Sequence, residues 1–170
     1  MENLNVFGGD SIEKNCFDKI REILLSGKTV LELGSGNVTK QLANHYKMIS
    51  IEHDPNWLNK YNSTYIHAPL VKYNETDPFW YDTKVLKKEL SKHNYDLILV
   101  DGPPAVALKK KNIRIGFFNN LQLFNTNCPM IFDDMQPGRL EKEMMLKVAR
   151  KLNRKYEIIK GKTHHFAVMP

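Results

Sequence analysis

The chain has 170 residues, 42% hydrophobic and 26% charged, with a net charge of +6. That is the balance of a soluble globular protein, long enough to bury a core of ordinary size in one domain without covalent staples. The apolar runs, such as Leu97–Val100, are far shorter than the roughly 20 residues that span a bilayer, and the N-terminal residues lack the basic start and apolar stretch of a secretory signal.

Asp10 with Glu13 three residues on reads as a capping box, and Cys16, Phe17, Ile20, Ile23 and Leu24 follow at helical spacing up to Gly27. Thr29–Leu33 reads as a buried strand running into Gly34-Ser35-Gly36 and a short helix to about His45. Met48–Glu52 is a second strand. Asp54-Pro55 then caps and opens a further helix, with Trp57 on its first turn. Thr64–His67 is a third strand, Val85–Leu90 a helix, and Tyr95–Val100 an apolar strand ending at Asp101. Phe117–Phe124 reads as a helix and Pro129–Phe132 as a strand ending at Asp133-Asp134. Leu140, Met144, Val148, Ala149 and Leu152 form one helical stripe. Tyr156–Ile159, Gly161-Lys162 and His164–Met169 form a terminal hairpin. Strands alternating with helices predict an α/β fold with helices on both faces of the sheet.

Open α/β sheets bind ligands at the carboxyl ends of their strands. Glu32, Glu52, Asp101, Asp133 and Asp134 all fall at predicted strand ends. The turn Gly34-Ser35-Gly36 lets the backbone bend sharply and approach a ligand, and a valine at Gly34 or Gly36 is expected to abolish binding in a folded chain. Glu52 lies 20 positions after Glu32, where a carboxylate can accept both hydroxyls of a ribose. A dinucleotide fingerprint wants Gly or Ala at the position held by Thr39, and Glu32 would repel a pyrophosphate. A cationic ligand suits these residues better.

The segments Val30–Gly36, Ser50–Asp54 and Tyr95–Pro104 resemble the class I S-adenosylmethionine-dependent methyltransferases. The stretch Glu52–Trp57, the Asp-Gly-Pro-Pro at Asp101–Pro104 and the later Asp133-Asp134 resemble the small sugar and polysaccharide O-methyltransferases within that group. Where such relatives often continue the glycine turn with Ser-Thr, this chain has Asn37-Val38-Thr39. The resemblance implies a Rossmann-like, seven-stranded, mostly parallel sheet whose C-terminal hairpin inserts the one antiparallel strand. It further implies that Glu32, Gly34, Ser35 and Gly36 line the methionine part of S-adenosylmethionine, that Glu52 binds the ribose and that His53 lies beside the adenine. It extends from about residue 10 to the C-terminal hairpin, and residues 1–170 read as one methyltransferase domain, with an N-terminal helical segment to residue 28 and a core from 29 onward.

Asp101, on a stiff Gly102-Pro103-Pro104 exit, could contact the cofactor's amine, hold a metal or act as a base. Asp133 and Asp134 repel one another, so a divalent cation, Arg139, Arg114 or water must compensate them. Asp101, Asp133 and Asp134 could supply hard oxygen ligands for Mg²⁺. In the competing reading Asp134 is a general base or binds sugar hydroxyls. Asp101 and Asp134 are the catalytic candidates. Ala105 after the Pro-Pro, where base N-methylating enzymes carry an aromatic, argues against adenine N-methylation. His164 and His165 point to opposite faces of the last strand and read mainly as structural. His67 falls near the expected adenine pocket. Phe79, Trp80, Tyr81 and Trp57 read as packing, with Pro78–Tyr81 as a candidate lid.

Cys16 and Cys128 sit among apolar residues, which excludes a disulfide scaffold or a Cys-based zinc site and fits a reduced, cytoplasmic protein. Residues 1–104 carry a net charge of −2 and residues 105–170 one of +8, so the second part can steer an anionic partner or simply form solvated helix faces. Three function classes follow. One is an O-methyltransferase acting on a sugar, glycan or small, anionic hydroxylated acceptor. The second is a nucleic-acid methyltransferase, disfavoured because little sequence is inserted outside the core. The third is a cofactor-binding protein without transferase activity.

Overall fold

A computed structural model describes residues 7–8, 11–72, 79–104 and 113–170. Nine strands are described: β1 (Thr29–Leu33), β2 (Lys47–Glu52), β3 (Thr64–His67), β4 (Leu70–Val71), β5 (Trp80–Tyr81), β6 (Leu97–Val100), β7 (Met130–Phe132), β8 (Glu157–Lys160) and β9 (His165–Met169). Five α-helices accompany them: α1 (Lys14–Ile23), α2 (Asn37–Leu42), α3 (Thr83–Leu90), α4 (Ile115–Asn119) and α5 (Leu140–Leu152).

Seven strands form one sheet in the order β3-β2-β1-β6-β7-β9-β8. All neighbours are parallel except β9, which runs antiparallel to both β7 and β8. The expected mostly parallel sheet with an antiparallel C-terminal hairpin is therefore present. The chain moves outward one way from β1 and then restarts the other way at β6, so the topological switch point lies between β1 and β6.

Alternation along the strands splits the core in two. Leu31, Leu33, Ile98, Val100, Met130 and Phe132 face one layer, where α3, α4 and α5 pack through Leu86, Phe117, Met144 and Val148. Val30, Leu97, Leu99 and Ile131 face the other layer, closed by Phe17 and Ile20 of α1 and Leu42 of α2. Strands buried on both faces read as unbroken apolar runs, which is why their bounds were legible from sequence. Glu32 and Ser50 are neighbours in the β1–β2 register and share the α1/α2 side with Val30 and Met48. A carboxylate thus sits on an otherwise apolar face.

Several local expectations are corrected. Asp54 does cap, accepting from the Asn56 amide at 2.9 Å, but only a single 3-10 turn (Pro55–Trp57) follows. Asn59 takes a left-handed conformation (φ 57°) and β3 begins at Thr64, which leaves no room for a longer helix. The helix expected over 117–124 starts two residues earlier and breaks at Asn120, whose side-chain amide donates to the Gly116 carbonyl, and a 3-10 turn (Leu121–Leu123) follows. The ribbon β4–β5 is additional. Trp80 and Tyr81 are fully buried in it, as packing residues should be, and Pro78 of the expected lid lies outside the described residues.

Asp10 of the expected capping box also lies outside the described residues, and Glu13 makes no capping bond. The Glu13 carboxylate instead reaches the β8–β9 turn. It accepts from the amides of Lys162 (2.7 Å), Thr163 (2.5 Å) and His164 (2.9 Å) and from the Thr163 hydroxyl (2.6 Å). Burial alone would raise its pKa, but these four bonds outweigh it and hold the group at about 2 instead of 4.5. A depressed carboxylate pKa stabilises the fold above pH 4.5, and that stability is lost as the pH falls towards 2. Glu13→Gln is expected to cost about 2 kcal/mol at pH 7. Urea unfolding should show the gap between variant and parent closing as the pH falls through that window; a gap that stays constant would remove the carboxylate's charge from the account.

Candidate active site

The site forms where the carboxyl ends of β1, β2, β6 and β7 meet beside the switch point. Its floor is a contact between two glycines. Gly34 has φ 87°, a conformation that side chains resist, and a Cβ on it would lie 3.2 Å from the Gly102 Cα. A Cβ on Gly102 would lie 2.8 Å from both the Gly34 Cα and the Leu33 carbonyl. The loops leaving β1 and β6 therefore touch backbone to backbone, and the Gly102–Pro103 peptide is cis. Gly36 differs. Its backbone is extended (φ −152°), and a Cβ there meets nothing within 4 Å. The expectation that valine at either glycine leaves the chain folded is thus corrected for Gly34, which the β1–β6 contact requires, and kept for Gly36.

The amides of the glycine turn are already spent inside the protein. Gly34 N–H donates to the Ile51 carbonyl (2.9 Å), Ser35 N–H to Glu52 Oε2 (2.8 Å), Gly36 N–H to Thr39 Oγ1 (2.9 Å) and Thr39 N–H to the Gly36 carbonyl (3.0 Å). A pyrophosphate-binding turn presents such donors to its ligand. Here Glu52 takes the Ser35 amide and Thr39 the Gly36 amide, and the Thr39 hydroxyl also donates to Glu32 Oε1 at 2.8 Å.

Glu32 is 3% exposed and also accepts from the Ser50 hydroxyl at 2.5 Å. Burial pushes its carboxyl up to about 8; the Ser50 and Thr39 bonds oppose this, and the charges of Asp101 and Glu52 add to it. Glu52 is equally buried but stays ionised. Burial would raise it, yet bonds from His53, Asp54 and Ser35 prevail and hold it below the usual carboxylate range. Its Oε1 accepts from the amides of His53 (2.6 Å) and Asp54 (2.8 Å), and His53 Nδ1 lies 2.8 Å away. Its Oε2 has the single Ser35 bond. Glu52 thus ties the loop after β2 to the loop after β1. His67, paired with Glu52 in the β2–β3 register, is exposed.

Tyr81 was missed as a site residue by sequence reasoning. It is fully buried, its ring stands edge-on to His53 at 6.4 Å, and its hydroxyl has no hydrogen-bond partner among the described residues. Burial drives its pKa well up, with the charge of Glu52 adding to it, and the His53 ring contact places the phenol beside this site. A two-residue strand gives no sequence signal that would have placed it there.

On the β6–β7 side, Arg114 is the cation that the clustered carboxylates need. It is 5% exposed, with Nη1 3.1 Å from Asp134 Oδ2 and Nη2 3.6 Å from Asp101 Oδ1. Arg139 Nη2 meets Asp134 Oδ1 at 3.1 Å, and its Nε meets Glu141 at 3.3 Å. Both arginines expected from sequence as compensating groups pair with Asp134. Asp134 itself has φ 66°, an uncommon conformation held by those two ion pairs. Asp133 is buried; burial and the charges of Asp101 and Asp134 push its carboxyl well above the ordinary range, against Arg114. The expected metal set of Asp101, Asp133 and Asp134 is not the cluster that forms. Asp133 and Asp134 have ligating atoms within 4.8 Å of each other and of His164, whereas Asp101 faces Arg114. With both Asp134 oxygens on guanidinium groups, the residues present do not make a ready cation site. His165 leads into β9 beside them, its carbonyl accepting from Met135 N–H at 2.7 Å.

Among the described residues no helix is long and apolar enough to cross a membrane. No protein-family model matches the chain, and no curated protein does. Solved structures do. Precorrin 8W decarboxylase of Methanobacterium thermoautotrophicum is 15% identical, with a TM-score of 0.57 over 99% of this chain and 94% of that one. The delta-N METTL16 MTase domain is 13% identical, with a TM-score of 0.58 over 91% and 79%. Human methyltransferase-like protein 13, in complex with SAH, is 12% identical, with a TM-score of 0.50 over 89% and 74%. At such identities the likeness speaks for architecture, and together with the strand order it gives the conclusion that this chain has the Rossmann-like fold of the class I methyltransferases.

Proposed function

We propose that the chain is an S-adenosylmethionine-dependent methyltransferase acting on a hydroxyl of a sugar, a glycan or another small acceptor, with residues 1–170 as one catalytic domain. The observation that carries the cofactor half of this reading is the internal bonding of the Gly34, Ser35 and Gly36 amides, beside Glu32, Glu52 and Asp101. Such a site has spent those three donors and holds the ionised Glu52 carboxylate beside them, which favours a ligand with a positive centre over a pyrophosphate. SAH in one structural neighbour is the demethylated product of that cofactor. The acceptor half rests on the sequence resemblance to sugar O-methyltransferases.

The residues present fit such a cofactor. The space above Gly36 is open, so a ligand can approach the backbone where a side chain would stand, and the Tyr81 hydroxyl is a buried donor in need of a partner. In this reading Glu32, Gly34, Ser35 and Gly36 shape the methionine end, and Glu52 turns Oε2 to the ribose hydroxyls. His53 flanks the adenine, and Asp101 closes the far side. When bound, S-adenosylmethionine supplies a methyl group on a positively charged sulfur. An alcohol attacks such a methyl well only as its proton leaves. The Asp101 side chain is 29% exposed, against 15% for Asp134, so Asp101 is the group within reach of an acceptor proton. Asp134, paired with both arginines, holds Arg114 in place beside Asp101. Positioning of the acceptor supplies much of the remaining barrier reduction.

Gly36→Val tests the cofactor site without disturbing the frame. The variant is expected to unfold at the parent's temperature and to show no heat of SAH binding in calorimetry. Normal SAH binding by Gly36→Val would make the turn purely structural. Gly34→Val should instead lose stability, by at least 1–3 kcal/mol, from backbone strain and the Gly102 contact.

A further inference from the structure

A second feature lies at the opposite edge of the sheet. The last turns of α5 and the start of β8 border a cavity of about 430 Å³, lined by Leu146, Arg150, Arg154, Lys155 and Tyr156 among others, with no carboxylate in its wall. Met144–Tyr156 carries five basic side chains, Lys147, Arg150, Lys151, Arg154 and Lys155, and no acidic one. Four of the five are exposed. None of them enters an ion pair among the described residues.

The positive charge is fixed in place. Arg154 is clamped by the main-chain oxygens of Thr126 (2.5 Å), Cys128 (3.0 Å), Met169 (3.0 Å) and Pro170 (3.1 Å), which spend its donors inside the protein and leave Arg150 and Lys155 as the groove's available cations. Arg150 Nε donates to Leu146 of its own helix at 3.3 Å, which lays that guanidinium along the groove wall. Arg150 and Lys151 also complement the negative end of the α5 dipole, but Arg154, Lys155 and Tyr156 lie beyond the helix and gain nothing from it. Tyr156 is 42% exposed beside these cations. An open aromatic face within a basic groove is the combination that holds unpaired bases and their phosphates. The volume is that of a small-ligand pocket, large enough for one nucleotide. A flat anionic membrane would not need a concave wall, and an acidic peptide would not need the ring.

We propose that this groove binds single-stranded nucleic acid, with phosphates on Arg150 and Lys155 and a base stacked on Tyr156. Its lining comes from the second half of α5 and the residues after it, whereas Asp134 precedes the helix, and the two sites share no residue, so it is an anchoring site apart from the methyl-transfer site. It is independent of the cofactor reading, because binding can be measured with no cofactor present.

The test uses the full chain and a fluorescein-labelled 12-nucleotide oligouridylate, followed by anisotropy at 50–300 mM salt. Two phosphate contacts predict a log–log salt slope of about −1.4. Arg150→Glu with Lys155→Glu is expected to weaken binding at least tenfold and flatten the slope. Tyr156→Ala should weaken it at least fivefold with the slope unchanged. All three side chains are on the surface, and SAH calorimetry and the unfolding temperature of each variant report separately on the cofactor site and the fold. No binding at 50 mM salt would overturn the proposal, as would binding that these variants leave intact. Polyglutamate competing as well as unlabelled oligouridylate would also overturn it, and would make the groove a site for acidic peptides.

Discussion

Arg114→Met is expected to destabilise the protein by about 3–5 kcal/mol, the cost of stranding buried charges by removing their partner. Arg114 is nearly inaccessible and faces both Asp101 and Asp134; Arg139 is half exposed and pairs with Asp134 and Glu141. Without Arg114, the raised pKa of Asp133 would no longer be opposed, and three carboxyls would share one corner of the fold. Asp134→Asn added to Arg114→Met should recover part of the loss, because one of the stranded charges is removed with it. Urea unfolding at pH 7 reads both values. A loss under 1 kcal/mol for Arg114→Met would mean that something other than this guanidinium neutralises the cluster.

Asp101→Asn is expected to lower turnover by about 10²–10⁴-fold while leaving SAH affinity within a few fold, because asparagine keeps the shape and loses the base. The assay is transfer of labelled methyl to a panel of sugar-phosphate and glycan acceptors. Since Arg114 supplies the positive charge between Asp101 and Asp134, EDTA is expected to leave turnover unchanged. Loss of activity in EDTA with recovery in Mg²⁺ would return the carboxylates to a metal role. Full activity of Asp101→Asn would move the base elsewhere, with His165 and Arg139 the next side chains to replace.

The frame of this site was legible in the sequence because its strands are short, apolar and bounded by polar residues. Thr29–Leu33 and Thr64–His67 match residue for residue, and the acids at the strand ends follow from them. What was not legible depends on register and distance. Thr39 stands out in sequence only as a departure from glycine or alanine. That it locks the turn through Glu32 requires the Glu32–Ser50 pairing and the placement of α2 over that face. Arg114 and Arg139 were both candidates to balance Asp133-Asp134, but only the packing of α4 puts Arg114 inside, between Asp101 and Asp134. Glu13 sits where a capping residue belongs, yet its partners lie about 150 positions away, beyond any local pattern. Tyr81 belongs to a strand of two residues, too short for alternation to show which way it faces.

The most direct measurement of the central claim is isothermal titration of the purified chain with S-adenosylmethionine, SAH and NAD in turn. The internal bonding of the glycine turn and the carboxylates around it predict saturable binding of S-adenosylmethionine and SAH and no measurable heat with NAD. Tight binding of NAD, with no response to either sulfur ligand, would contradict it.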